Sequence, residues 1–222
     1  MNQIRSQLDE KLSTIREQLL WMNDRVAERV DEVTTALLAS DIVEADRLIE
    51  EDDDIDLVSQ EVEDLCIETL IRESPVAGDL RAIVAGMHMN GDIERNGDMT
   101  TNIAKAAGRL QGITISDRIR EVIIQMAAEA RMLVETAGTA YRELDADLAA
   151  SIDDLDDVLD SLHSTFIQLL ITEAKHGGLL PQQSLQLALV GRFYERIGDH
   201  AENVGERIRF VIDGWTPERA GA

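Results

Sequence analysis

The sequence predicts an all-α protein of two tandem three-helix bundles, six long helices related by internal pseudo-symmetry. Three observations carry that reading. The only prolines are Pro75, Pro181 and Pro217 in 222 residues, which leaves long stretches free of the residue that breaks a helix interior. Apolar residues recur at steps of three and four, the spacing of one helical face, while aromatics are scarce and alternating Val/Ile/Thr runs are lacking. Finally, a polar string is written twice, as IERNGDMTTN from Ile93 to Asn102 and as YERIGDHAEN from Tyr194 to Asn203.

The first helix is marked by Ile4, Leu8, Leu12, Ile15, Leu19, Met22, Val26, Val30, Val33 and Leu37, a single stripe on a rod of roughly 35 residues, about 50 Å long at 1.5 Å per residue. Such a rod cannot bury its own stripe, so partners must cover it. A second helix is expected over 42–72. The third opens at Ser74-Pro75, with Ser as cap and Pro at the first helical position, and runs out near Gly108 to Gly112. The pattern then restarts, which divides the chain into bundles at 1–112 and 113–222. Ile115, Ile119, Val122, Met126, Ala130, Leu133, Ala137 and Leu144 mark the fourth helix. Ile152, Leu155, Leu159, Leu162, Phe166, Leu169 and Leu170 mark the fifth, and Lys175-His176-Gly177-Gly178 reads as its stop signal. The sixth begins near Pro181 and ends before a short frayed tail.

Each polar string places two carboxylates and a carboxamide on one helical face: Glu94, Asp98 and Asn102, then Glu195, Asp199 and Asn203, all at i, i+4, i+8. The apolar stripe of the last helix uses other positions, Val190 or Phe193, Ile197, Ala201, Val204 and Ile208. Gly97 and Gly198 sit in mid-helix, where glycine costs roughly 1 kcal/mol relative to alanine. Both therefore ask for a reason, such as close helix approach or room for a ligand. Further acid pairs stand on the preceding helices, Asp52 with Asp56 and Asp156 with Asp160. If the helices pack antiparallel, these pairs approach the motif carboxylates, and a bound cation would relieve the repulsion. Oxygen ligands without thiolate suit Mg, Ca, Mn or Fe. The plain alternative is a set of solvated carboxylates held by Arg95 and Arg196.

Charge and cysteine usage narrow the partners. The 44 acids against 21 bases give a formal charge of -23, which argues against nucleic acid and anionic lipid and points to cations or basic protein surfaces. About half of that excess is accounted for by the solvated helix faces of a salt-adapted or GC-rich source. The single Cys66 reads as a reduced, buried thiol. MNQIRSQLDEKL has no apolar h-region, and no apolar run approaches the roughly 18 residues of a membrane span, so a cytoplasmic protein with no membrane insertion is expected.

Taken together, IERNGDMTTN, YERIGDHAEN, SPVAGDLRAIV and LIEEDDDID resemble the phosphate-specific transport regulator family, PhoU, over essentially the whole chain. The resemblance implies metal ions of divalent or iron type on E(D)xxxD motifs, carried to Glu94, Asp98, Glu195 and Asp199, and less directly to Asp52, Asp56, Asp156 and Asp160. It also implies a homodimer and a role as adaptor, restraining a phosphate-responsive sensor histidine kinase and the ATPase subunit of the phosphate ABC importer when phosphate is plentiful. The halves differ, with Asp92 two places before one motif glutamate and Phe193 two places before the other, so metal occupancy is expected to be unequal. Two other readings stand beside it. A ferritin-like di-iron oxidase wants two Glu-x-x-His pairs, and this chain offers only Glu173 with His176. A purely structural bundle explains the stripes but not the repeated string. With no histidine partnered by a serine or cysteine in a placement that suggests nucleophilic catalysis, and no phosphate-cradling glycine string, no enzyme is expected.

Overall fold

The computed structural model describes residues 2–113 and 115–214, with seven helices and no strand among them. They are α1 (Asn2–Ala39), α2 (Ile42–Glu50), α3 (Asp53–Glu73), α4 (Gly78–Arg109), α5 (Asp117–Glu143), α6 (Ala146–Lys175) and α7 (Pro181–Asp213). The side chain of Ile4 and the residue Pro217 lie outside the described set. Six of the helices are long, and α2 is a short extra piece.

Local chemistry sets most of the ends. Asp145 caps α6 by accepting from the backbone N–H groups of Asp147 and Leu148, at 3.0 and 2.9 Å, satisfying donors that a helix start leaves free. Ser116 does the same for α5 through Ile119 N, and Pro181 opens α7 at a position that needs no N–H. The stop after α6 comes where the stop signal lies, with Gly177 at φ +76.

Two boundaries differ from the expectation. The helix expected over 42–72 is broken at Glu51-Asp52 into α2 and α3. The run Glu50 to Asp54 is five acids in succession, and Asp favours competing backbone contacts over helix interiors. The expected start at Ser74-Pro75 is also displaced, because Ser74 is left-handed at φ 48 as the end of α3, and α4 begins only at Gly78. Leu144, counted in the fourth stripe, is instead a left-handed cap that is 46% exposed.

Elsewhere the stripes are the core. Leu8, Ile15, Leu19, Met22, Val26, Val30, Val33 and Leu37 are all buried on α1, as are Ile197, Ala201, Val204 and Ile208 on α7. Helices α1, α3 and α4 pack on one another, as do α5, α6 and α7, and the halves meet along α4 with α7 and α1 with α5. One continuous core runs through both. The 112/113 division falls in the connection between α4 and α5. Cys66 is buried and free, its thiol pushed up to about 11 by burial. No helix among the described residues is long and apolar enough to cross a membrane.

The seam between halves is antiparallel. As α4 runs from Asp92 to Asn96, its partners on α7 run back from His200 to Ile197: Asp92 Oδ1 stands 3.3 Å from His200 Nδ1, and Asn96 donates to Ile197 O at 3.4 Å. Asn96 and Ile197 hold the same place in the two polar strings, so the pseudo-twofold relation passes between them. The Thr34 and Tyr194 hydroxyls share a 2.7 Å hydrogen bond, and Asn23 donates to Val134 O at 2.9 Å. Such buried polar pairs fix register between faces that apolar packing alone would leave free to slide.

Candidate metal centre

The two polar strings lie near the middle of α4 and α7, each facing the helix before it. In the first half Asp52, Asp56, Glu94 and Asp98 come together. Burial, then Asp98, Asp56 and Asp52, hold the Glu94 carboxyl above its ordinary range. Burial, then Asp52, do the same to Asp98, and burial, Asp52 and Asp98 raise Asp56. In the second half Asp156 is buried at 7% exposure and pushed up to about 7, first by burial and then by Asp160, Asp199, Glu202 and Asp157. Like charges brought out of water disfavour joint ionisation.

The mid-helix glycines now have their reason. A Cβ on Gly198 would collide with Asp156 Oδ1 and lie 2.8 Å from Leu159 Cδ2. On Gly97 it would meet Ile55 methyls at 3.3 and 3.4 Å and Asp52 Oδ1 at 3.6 Å. Each glycine admits the carboxylate of the facing helix. On α7 the device is repeated, because Gly191 admits Phe166 and Gly205 admits the Ala149 carbonyl, at 2.6 and 2.9 Å from an added Cβ. A seven-residue glycine spacing thus brings α6 close along its length. Gly198→Ala is therefore expected to destabilise by about 1–3 kcal/mol through overpacking, whereas Gly97→Ala keeps much of the roughly 1 kcal/mol helix-propensity gain. Urea titration of both variants checks this, and equal midpoint shifts would refute it.

The halves differ in how the facing aspartate is neutralised. Asp52 is paired at 2.8 Å with Arg29, whose side chain is fully buried and also donates to the carbonyls of Leu48 and Glu51 and to Thr101 Oγ1. For Asp156 the structure supplies acids, and its Oδ1 has no hydrogen-bond partner. Glu195, also buried, has one oxygen bonded to Arg192 and Oε2 without a partner. Arg192 further reaches Asp199 at 3.8 Å. The arginine on this motif is thus Arg192 rather than Arg196, and Arg95 reaches Asp92 at 3.6 Å. Glu202, whose carboxyl is held above its ordinary range by burial and then by Asp153, extends the acidic face together with Asp153 beyond the expected set. Their signal was present, since Glu202 follows Asp199 by three residues on the same helical face.

As metal donors these residues have suitable chemistry: hard carboxylates, two of them with unpartnered buried oxygens in the second half. Their arrangement is open, and among the described residues no three His, Cys, Asp or Glu side chains converge to hold an ion. The Glu173 and His176 pair is at the end of α6, where exposed His176 bonds Thr172 O at 2.8 Å, so it contributes nothing to the core as a di-iron site requires.

This fold and site define a class: a duplicated helical bundle with an acidic polar motif on each half. The PhoU domain profile matches residues 19–107 and 123–208. The chain belongs to the PhoU family. It is 33% identical over 216 residues to a Mycobacterium tuberculosis protein named phosphate-specific transport system accessory protein PhoU homolog 2, covering 96% of this chain and 100% of that one. A Pseudomonas putida PhoU homolog is 30% identical over 218 residues, covering 98% and 85%. The crystal structure of PhoU from Pseudomonas aeruginosa superposes with a TM-score of 0.87 at 29% identity, over 93% of this chain and 99% of that one. The regulatory protein PhoU from Streptococcus pneumoniae has the same fold at a TM-score of 0.86 and 24% identity, over 94% and 98%.

Proposed function

We propose that this protein is a cytoplasmic accessory regulator of phosphate-specific transport, an adaptor that works by docking and not by catalysis. The observation that carries the reading is family membership across both halves, together with relatives named as accessory proteins of that transport system. Its partners are a phosphate-responsive sensor histidine kinase and the ATPase subunit of the phosphate ABC importer, both restrained when phosphate is plentiful, and it acts as a homodimer. The strongly acidic surface favours rapid encounter with basic partner surfaces, and apolar contacts set affinity.

A divalent or iron-type ion would be held in the second half by Asp156, Glu195 and Asp199 with Asp160 beside them, and in the first by Glu94, Asp98 and Asp56. The first site is the poorer one, because Arg29 already neutralises Asp52. Bound there, an ion supplies positive charge that cancels part of the acidic face. The test is pull-down of the kinase or the ATPase at several salt concentrations, with elemental analysis of protein purified without chelator. Glu94→Ala/Asp98→Ala and Glu195→Ala/Asp199→Ala are each expected to weaken capture at least several-fold. Normal capture by both double variants, with no metal in any preparation, would make the motif faces structural.

A further inference from the structure

Above the acidic centre of the second half, the groove between α6 and α7 changes character. On α6, Asp160, His163, Ile167, Ile171 and Lys175 follow one another at steps of three and four, so one stripe passes from acid through apolar to base. Antiparallel α7 supplies Glu195 beside Asp160, then Ala188 and Leu185 beside Ile167 and Ile171. A cavity of about 710 Å³ lies at the acidic end, lined by Asp157, Asp160, His163 and Glu195. One helical turn further along, a cavity of about 510 Å³ is lined by Ile167, Leu170, Ile171, Leu185 and Ala188, with Lys175 at its end. Ile171 is 43% exposed and Leu185 59%. Between Ser161 and Tyr194 the only acid is Glu173, in a chain that carries 44.

We infer that this groove docks an amphipathic helix of a partner protein, one carrying in order along its axis a basic end, apolar anchors and an acidic end. Charge complementarity selects that occupant. Basic side chains meet the exposed Asp157 and Asp160, anchors at helical spacing enter between Ile171 and Leu185, and an acidic terminus meets Lys175. Asp160 and Lys175 are about 22 Å apart along α6 at 1.5 Å per residue, which fits a partner helix of about four turns. A second copy of this chain would bring its own charge of -23 to the acidic end, and an extended lipid surface does not fit a channel between two helices.

The first half lacks this order. From the correspondence of Asp52 with Asp156, Ile167 answers to Glu63 and Lys175 to Ile71, so acid intrudes where the anchors sit, and the cation of the last turn is Arg72, one position on and paired with Glu68 at 3.1 Å. Docking is therefore a property of the second half alone, and it distinguishes two halves whose polar strings are nearly the same. The inference rests on the adaptor reading only in taking the occupant to be a protein segment.

The experiment uses the full chain and two fluorescein-labelled sixteen-residue peptides with leucines at i, i+3, i+4 and i+7. One has Lys/Arg at one end and Glu at the other, and the second has Glu at both. Fluorescence anisotropy is expected to show the first peptide binding at least tenfold more tightly than the second. Ile171→Glu and Leu185→Glu, both at exposed positions, should each weaken it at least tenfold with unchanged circular dichroism, while Ile71→Glu in the first half leaves it unaltered. Equal binding of the two peptides, or indifference to both groove variants, would overturn the inference. So would light scattering that shows a dimer dissolved by Ile171→Glu, or neutral phosphatidylcholine vesicles that retain the wild type and release that variant. The two readings fail separately: a wild-type protein that captures neither the kinase nor the ATPase would sink the adaptor role and leave peptide binding standing.

Discussion

Replacing Arg29 with methionine is expected to lower unfolding free energy by about 3–5 kcal/mol, the cost of removing one member of a buried ion pair. The guanidinium is fully buried and joins three elements at once. It pairs with Asp52 at the start of α3, takes the Leu48 and Glu51 carbonyls where α2 ends, and reaches Thr101 on α4 at 3.3 Å. Burial holds its pKa below the usual arginine value, with Asp52 opposing. Methionine fills much of the volume but offers no donor, so the Asp52 carboxylate is left among Asp56, Glu94 and Asp98 without its cation. At the α2–α3 break the Leu48 carbonyl loses its guanidinium donor as well, while Glu51 O keeps the Asp54 N–H at 3.4 Å. Arg29→Met/Asp52→Asn is expected to recover part of the loss, since it removes the uncompensated charge. Urea unfolding at pH 7 measures both, and an Arg29→Met protein within 1 kcal/mol of wild type would show that solvent reaches this site and screens it.

That clamp was not legible in the sequence, and the reason is geometric. Periodicity reports which face of a helix is apolar, and so it located every long helix and most of the core, from Leu8 to Ile208. It also put Glu94 with Asp98 and Glu195 with Asp199 on common faces, because both pairs are local. It does not report register between helices. The meeting of Arg29 with Asp52 depends on how α1 slides against α3, as the meeting of Asp92 with His200 depends on α4 against α7. The break at Glu51-Asp52 escaped for a related reason: the apolar stripe continues on either side, and only the carbonyls captured by Arg29 show what holds the turn. Arg196, which with Arg95 holds the carboxylates in the solvated alternative, gives way to Arg192 at the second motif for a local reason. Arg192 stands three residues before Glu195 and shares its face, whereas Arg196, one residue on, points about 100° away. Gly97 and Gly198 were legible as anomalies, and their cause needed the opposite helix.

The same contrast between halves makes Asp156 the residue on which pH should act most strongly. Its carboxyl is raised from an ordinary 3.8 to about 7 by burial and by Asp160, Asp199, Glu202 and Asp157, with no buried arginine to do for it what Arg29 does for Asp52. An acid with a raised pKa binds its proton more tightly folded than unfolded. The stability it confers is therefore present near pH 4, falls as pH rises toward 7, and is gone above that. A shift of roughly three units corresponds to on the order of 4 kcal/mol. Asp156→Asn should thus be more stable than wild type at pH 8 by an amount of that order, and the advantage should shrink steadily toward pH 4. Urea midpoints taken in chelator at pH 4, 5, 6, 7 and 8 give the difference curve, in which the carboxyls both proteins share cancel. Millimolar Mg²⁺ or Mn²⁺ should narrow the gap at pH 8 by stabilising wild type more than the variant, because a cation among Asp156, Glu195 and Asp199 replaces the proton as the neutralising charge. A difference curve that is flat with pH would mean that Asp156 is solvated and ionised throughout. The second half would then offer an ion only Glu195 as a buried carboxylate, already bonded to Arg192.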